Sequence, residues 1–472
     1  MKKNSIVLYP SPGQGHLLSM VELGKLLLHH NPSFSITIFI TSLPSKTNSS
    51  TAAYINRVST TTPISFYHLP LISLPMDPSS YPNIEIMVFD LLRLNNPNLE
   101  QALKTISHSS TIHSFIIDGF CTVAFDVAAH LDIPVYYYFT SGAAALATFL
   151  YFPTLHENTN QISFKDRRTN LDIPGLPPLL ATDMPEPMLD RNKEAYHGFL
   201  DMCSHFRKAA GILVNTFEAL EPRAIEAISL GLSVPEKLTP PVHYIGPVVV
   251  SDKPKNSGGE DCLHWVDSQP SCSVVFLCFG SLGVFSAAQL KEIAVGLERS
   301  GHRFLWVVGS PPTKDKIGRF LAPIEPDLET LLPDGFLDRV KGRGLVVKSW
   351  APQVDILSLE SVGGFVTHCG WNSVLESLCA GVPMVAWPLY AEQRLNRLLL
   401  VEEMKLAMPM EESREGLVMA AEVEKRVRSL MDSVEGKLLR ERTLAMKDCA
   451  VAALSQGGSS HAALVELTQS WK

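Results

Sequence analysis

Three short stretches hold residue types that could do chemistry together. The first is "YPSPGQGHLLSM", residues 9–20, where the apolar run 5–9 gives way to a helical pattern and His16 stands at the changeover. An imidazole at a strand's carboxyl end can take a proton from a nucleophile near neutral pH. The second is "HSFIID", 113–118, an apolar run ending in Asp118. Read alone, Asp118 is a cap for a helix over 120–131. The third is "THCGWNSVLESLCAGVP", 367–383. A strand over 363–367 ends at His368, Cys369 and Gly370, and Trp371, Asn372 and Ser373 open a helix reaching Leu378 or Cys379. Gly381 and Pro383 close it.

That third stretch has the parts of a phosphate seat. A helix N-terminus offers unpaired N–H groups and partial positive charge. Gly370 allows close backbone approach, Asn372 and Ser373 add polar side chains, and His368 adds a donor that could carry charge. Glu376, one turn on, would repel phosphate but accept hydrogen bonds from a ribose diol. A nucleotide fits this spacing. So does a plain capped helix, with Asn372 as N-cap and Glu376 on its surface.

Strands must hold these residues in place. Apolar runs at 5–9, 35–40, 64–69, 113–118, 134–139 and 211–216 alternate with helical patterns such as 16–29 and 120–131. The text at 240–262, "PPVHYIGPVVVSDKPKNSGGEDC", gathers proline, glycine and charge as a linker does. Alternation then restarts with strands at 273–281, 303–309, 344–350, 363–368 and 383–388 and a helix over 286–301. Runs this apolar suit parallel strands covered on both faces. The expected architecture is α/β with two doubly wound, Rossmann-like domains, 1–245 and 263–455, joined by a linker at 246–262. The proline-rich segment 310–335 reads as a surface excursion. A C-terminal helix within 456–472 is a candidate to pack back on the first domain.

Length and charge narrow the function. A chain of 472 residues exceeds one hydrophobic core. A net charge of −8 argues against nucleic acid or an anionic membrane as partner. Eight scattered cysteines form no CxxC pair, so zinc, a redox dithiol and a disulfide scaffold are disfavoured, and reduced thiols in the cytoplasm fit. No DxD pair occurs, so no metal–diphosphate bridge is indicated. The apolar stretch 133–153 is interrupted by Thr140, Ser141 and Gly142 and reads as strand then helix, not a membrane span. Gly13 and Gly15 supply half of a GxGxxG pattern, but Leu18 fills the third place and no acid ends the 36–40 run. That counts against an NAD-dependent oxidoreductase.

The window from "WAPQVDIL" at Trp350 to "WPLYAEQ" at Gln393 spans 44 residues. With "GGFVTHCGWNS" between, it strongly resembles the signature of the plant family 1 UDP-sugar glycosyltransferases. "GQGH", "FGS" at 279–281 and the aspartate after a middle strand fall in family-like places, so the resemblance covers essentially the whole chain. It implies a GT-B fold with the active site in a cleft between two Rossmann-like domains. It implies that Trp350 stacks on uracil while the Ala351 backbone pairs its edge, and that Gln353 and Glu376 bind ribose. Ser281, His368, Asn372 and Ser373 would hold the diphosphate, and Trp371, Glu392 and Gln393 would face the sugar. In isolation Trp350 and Trp371 read as core aromatics, and Glu392 and Gln393 as solvated helix residues.

The resemblance also pairs His16 with Asp118. A carboxylate on one imidazole nitrogen fixes the tautomer and stabilises the imidazolium, as in serine hydrolases. The implied reaction is a single inverting displacement. His16 takes the acceptor proton, the oxygen attacks the anomeric carbon, and UDP leaves with its charge held by the helix N-terminus and His368. Glutamine at 393 and tryptophan at 371 go with UDP-glucose in the family. UDP-glucose is then a co-substrate, with no cofactor and no metal. The acceptor side would draw on 81–95, 120–123, 140–145 and 183–200, with Phe120 and Thr140 as candidate contacts. Gly119 departs from the bulkier residue common after that aspartate and would widen this side. The expectation is a cytoplasmic monomer acting on a flat phenol, the resemblance lying nearest to enzymes of flavonoids, isoflavonoids and chalcones. C-glucosylation of a phenol, and a non-catalytic sugar-nucleotide or small-molecule binding protein, stay open as alternatives.

Overall fold

A computed structural model describes residues 3–43, 49–159, 162–235, 238–250, 259–312, 324–413 and 416–471. The chain divides into two compact units, Met1–Pro254 with Ala452–Lys472, and Lys255–Val451.

In the first unit, β1 (Lys3–Tyr9), β2 (Ser35–Ile40), β3 (Ile64–His68), β4 (Ser110–Asp118) and β5 (Val135–Phe139) come first. A two-stranded antiparallel ribbon, β6 (Asn170–Leu171) with β7 (Leu179–Leu180), precedes β8 (Gly211–Val214) and β9 (Val242–Tyr244). All but the ribbon form one parallel sheet of order β3-β2-β1-β4-β5-β8-β9. The order reverses between β1 and β4, and Tyr9 lies opposite Ile117 there. Residues following those two strands are therefore neighbours although about a hundred positions apart.

The second unit repeats the plan with β10 (Val274–Cys278), β11 (Arg303–Val308), β12 (Gly344–Lys348), β13 (Val362–Thr367), β14 (Met384–Ala386) and β15 (Ala407–Pro409). Its parallel order is β12-β11-β10-β13-β14-β15, reversing between β10 and β13, where Cys278 lies opposite Thr367. Open α/β sheets bind ligands at such reversals, beyond the strands' carboxyl ends.

Several expectations shift. The helix read over 120–131 is a 3₁₀ segment, Gly119–Ala124, followed by a short α-helix, Phe125–Ala129. The stretch 133–153 is β5 followed by helix Ala143–Asn158, and no described helix is long and apolar enough to cross a membrane. The expected linker, 246–262, is taken up at both ends. Asn215 donates its amide to the Val248 carbonyl at 3.0 Å and accepts the Val248 N–H at 2.6 Å, and Val248 and Val250 join the first core. Helix Gly259–Asp267 opens the second unit, while residues 251–258 lie outside the described residues. So do 313–323 of the proline-rich excursion, whose remainder includes the short helix Leu328–Leu331. Helix Ser459–Ser470 belongs to the first unit, with Leu464, Leu467 and Trp471 in its core beside Leu17, Phe34 and Ile36.

Candidate active site

The reversal of the first sheet brings His16 and Asp118 together. His16 lies in the first turn of helix Gln14–His30, entered through Gly13 at φ 139°, a conformation side chains avoid. Its Nδ1 is 2.7 Å from Asp118 Oδ2. Asp118 is buried, whereas the His16 side chain is 36% exposed. The other carboxylate oxygen, Oδ1, accepts the Phe120 N–H at 3.1 Å. Asp118 is thus both a cap, here of a 3₁₀ segment, and the imidazole's partner. A carboxylate at Nδ1 keeps the proton on that nitrogen and makes Nε2 the basic one.

Phe120 faces the same imidazole edge-on, ring centres 6.0 Å apart. Behind it stand Phe89 and Phe199, each 5.6 Å from Phe120, and Phe149 lies 6.2 Å from Phe199. Sequence reasoning marked the ranges holding Phe89, Phe120 and Phe199 but neither Phe149 nor the cluster, because its members come from three α-helices and the 3₁₀ segment. Thr140 follows β5 directly and is half-buried. The room beside Gly119 is not open: a Cβ there would meet Met202 Sδ at 3.2 Å and the Phe206 ring at 3.6 Å.

The reversal of the second sheet carries Ser281, His368 and helix Trp371–Ala380, while Trp350, Ala351 and Gln353 follow β12 and Glu392 and Gln393 follow β14. Helix Trp371–Ala380 begins at Gly370 with no acidic residue in its first turn and ends at Gly381 in the left-handed region, φ 81°. Gly370, not Asn372, is its N-cap, and Glu376 is buried, 4% exposed. That rules out the plain capped helix. Glu376 Oε2 accepts the Gln353 side-chain N–H at 2.5 Å, and the same amide donates to Ser373 Oγ at 2.9 Å. Three expected donor residues therefore form one buried polar cluster.

His368 is buried, 5% exposed, a setting that disfavours the charge the sequence reading allowed it. Burial alone pushes its pKa down to about 4. Its ring is held between two glycines. A Cβ on Gly280 would lie 2.6 Å from Nε2, and one on Gly370 would lie 2.5 Å away. His368 Nδ1 and Asn372 Oδ1 are buried without a hydrogen-bond partner in the structure. Ser281 is exposed in the turn after β10. Trp350 is half-buried, and Ala351 beside it is buried. Trp371 is buried, and Glu392 is half-buried at the start of helix Gln393–Leu398. Gln393 is buried, and its amide oxygen accepts N–H groups of Leu389 at 2.9 Å and Tyr390 at 3.0 Å. It therefore shapes its own loop, which no spacing argument anticipated.

Among the described residues, six non-glycine positions have positive φ, and three adjoin this site: Ser349 before Trp350, Cys369 after His368, and Ala391 before Glu392. Strain of this sort gathers where a ligand must be met in one geometry. Asn396, fully buried, donates to the Cys369 carbonyl at 2.9 Å and steadies that turn. Sequence reasoning missed it, since its link spans 27 residues. Among the described residues no group of three or more His, Cys, Asp or Glu side chains is arranged to hold a metal ion.

The model of the family "UDP-glucoronosyl and UDP-glucosyl transferase" matches residues 100–433. The chain is 52% identical to UDP-glycosyltransferase 88F3 of Pyrus communis, with 98% of this chain and 99% of that protein aligned. It is 50% identical to a phloretin 2'-O-glucosyltransferase of Malus domestica, again over 98% and 99%. Its structure resembles that of Phytolacca americana UGT2 complexed with UDP-2fluoro-glucose and pterostilbene. The TM-score is 0.87, the identity 39%, and both chains are fully covered.

Proposed function

The chain belongs to the UDP-glucoronosyl and UDP-glucosyl transferase family and is a UDP-glycosyltransferase of GT-B fold, and from that premise we propose inverting transfer of glucose from UDP-glucose to a small phenol. Relatives that act on phloretin, and a structural neighbour holding a fluoro-glucose donor with pterostilbene, support the sugar and the acceptor class. The observation that carries the chemistry is the 2.7 Å His16–Asp118 contact at the sheet reversal.

In the proposed step the acceptor hydroxyl gives its proton to His16 Nε2. Asp118 holds the opposite N–H and balances the imidazolium. The freed oxygen bonds to the anomeric carbon as the bond from that carbon to UDP breaks, and the configuration inverts. Uracil stacks on Trp350 and pairs with the Ala351 backbone, and Gln353 and Glu376 take the ribose hydroxyls. The diphosphate lies on Ser281, Asn372, Ser373 and the N-terminus of helix Trp371–Ala380, with His368 giving a neutral N–H rather than a charge. Trp371, Glu392 and Gln393 face the glucose, while Phe120 and Thr140 face the acceptor. The step needs no metal ion, and the same reading has a monomer in the cytoplasm, the compartment being supported by cysteines without pairing spacing.

The test is incubation with UDP-glucose and a set of phenols. The expected product gains one hexose, is released by acid, has the β configuration, and forms at the same rate with EDTA. No mass gain, retained α configuration or a rate lost on chelation would count against the reading.

A further inference from the structure

Helix Gln14–His30, which carries His16, is tied to the first sheet by two polar contacts one turn apart. One is the His16–Asp118 contact at 2.7 Å. The other joins Ser19 Oγ and Tyr138 Oη at 3.0 Å, and both of these residues are buried. Residues 16 and 19, three apart, share one face of a helix. Asp118 and Tyr138 stand opposite each other in the parallel register of β4 and β5, so their side chains leave the same face of the sheet. Ile116, two positions before Asp118, and Tyr138 pack in one core with Leu17 and Leu18 of that helix. The two contacts therefore fix the start of the helix to neighbouring strands at one level of the sheet. The helix supplies little there itself. Its N-cap is Gly13, which has no side chain to bond the free N–H groups, and its first turn has no acidic residue. The neighbouring tyrosine serves the other partner. Thr122 Oγ1 donates to the Gly119 carbonyl at 2.7 Å within the 3₁₀ segment that Asp118 caps, and Tyr137 Oη lies 3.1 Å from the same Thr122 oxygen. Consecutive residues of β5 thus brace both sides of the His16–Asp118 contact.

We infer that Ser19 and Tyr138 are a positioning pair: their bond sets the height and rotation of the helix turn that presents His16, and so the line along which Nε2 meets the acceptor hydroxyl. The inference rests on the proposed role of His16 as base. A base must stand within hydrogen-bond reach of the proton it takes, and a misplacement of about 1 Å can cost on the order of 100-fold in rate. A helix turn released from Tyr138 therefore slows turnover and leaves nucleotide binding, which the proposal gives to the second unit, as it was.

The test measures kcat, the KM for UDP-glucose and the UDP Kd of the whole enzyme with one phenol, for Tyr138→Phe, Ser19→Ala, the double variant, His16→Ala and Ser460→Ala. Tyr138→Phe keeps the ring and removes only the hydroxyl. Each single variant is expected to lower kcat roughly tenfold, a fraction of the cost of a full 1 Å misplacement, with KM and Kd near the parent's. The double variant is expected to fall no further, because either substitution breaks the same bond. Ser460→Ala is the control. It too removes a buried hydroxyl bond of the first unit, to the Gly246 carbonyl after the edge strand β9, and is expected to keep the parent's kcat. With turnover lost in His16→Ala, an unchanged kcat in the single variants, a kcat lowered as much in Ser460→Ala, or UDP affinity lost together with kcat overturns the positioning role alone. If Tyr138→Phe fails to fold, Ser19→Ala decides by the same readings. Turnover kept in His16→Ala overturns the base assignment, and this inference with it.

Discussion

His368 shows how burial sets the chemistry of one residue. In the proposed donor seat, burial disfavours an imidazolium at His368, so attraction to a diphosphate would come from N–H groups and the helix end rather than from a histidine cation. Neutrality has a consequence for stability. An unfolded chain protonates this histidine near its ordinary pKa of 6.5, but the buried ring takes a proton only near 4. Between those values the unfolded state binds more protons, so stability falls as pH falls through that window and is unaffected above it. At pH 5 the loss is about 2 kcal/mol. Denaturant titrations at pH 7 and pH 5 should show His368→Gln losing less stability than the parent by about that amount. Equal losses would mean the histidine is not held neutral.

Helix Ala143–Asn158 has no cap of its own, and Gly142 precedes it. Glu221, buried, reaches across and accepts the N–H groups of Ala143 at 2.7 Å and Ala144 at 2.9 Å. This bond fixes the turn after β5 that carries Thr140. Glu221→Ala leaves two buried N–H groups without their carboxylate and should cost about 2 kcal/mol. The acceptor KM should rise while UDP affinity holds. An unchanged unfolding midpoint and KM would contradict this. At this scale the sequence is readable where apolar runs are long: β1, β4, β10 and β13 stood out, and with them the positions of His16, Asp118 and His368. β9 and β15 are three residues each and left no periodicity. The 3₁₀ segment after Asp118 looked like ordinary helix because an aspartate caps both. The Phe89–Phe120–Phe199 cluster and the Asn396–Cys369 tie depend on tertiary packing that no local pattern encodes.

Over the whole molecule, two parallel sheets each place polar residues where their strand order reverses. The doubling was legible from two series of apolar runs, but the boundaries were not, because 246–250 is apolar enough to complete the first core. The last helix completes it too. Trp471 packs on Phe34 and Tyr136 at 6.2 and 5.3 Å, and Ser460 Oγ donates to the Gly246 carbonyl at 2.6 Å. Deleting residues 456–472 uncovers this face and should destabilise the first unit by roughly 5 kcal/mol, from the burial of Leu464, Leu467 and Trp471. Equilibrium unfolding should then show an early transition; a curve identical to the full chain's would contradict the packing.

The proposed catalysis assigns proton removal to His16 and nucleotide retention to residues of the other unit. The most direct measurement pairs two readouts on His16→Ala: calorimetric UDP binding and the rate of phenol glucosylation. The expected result is a UDP Kd close to the parent's, with turnover reduced by about 100-fold or more, the contribution typical of a positioned base. Turnover retained with the imidazole gone, or UDP binding lost together with turnover, would contradict the account.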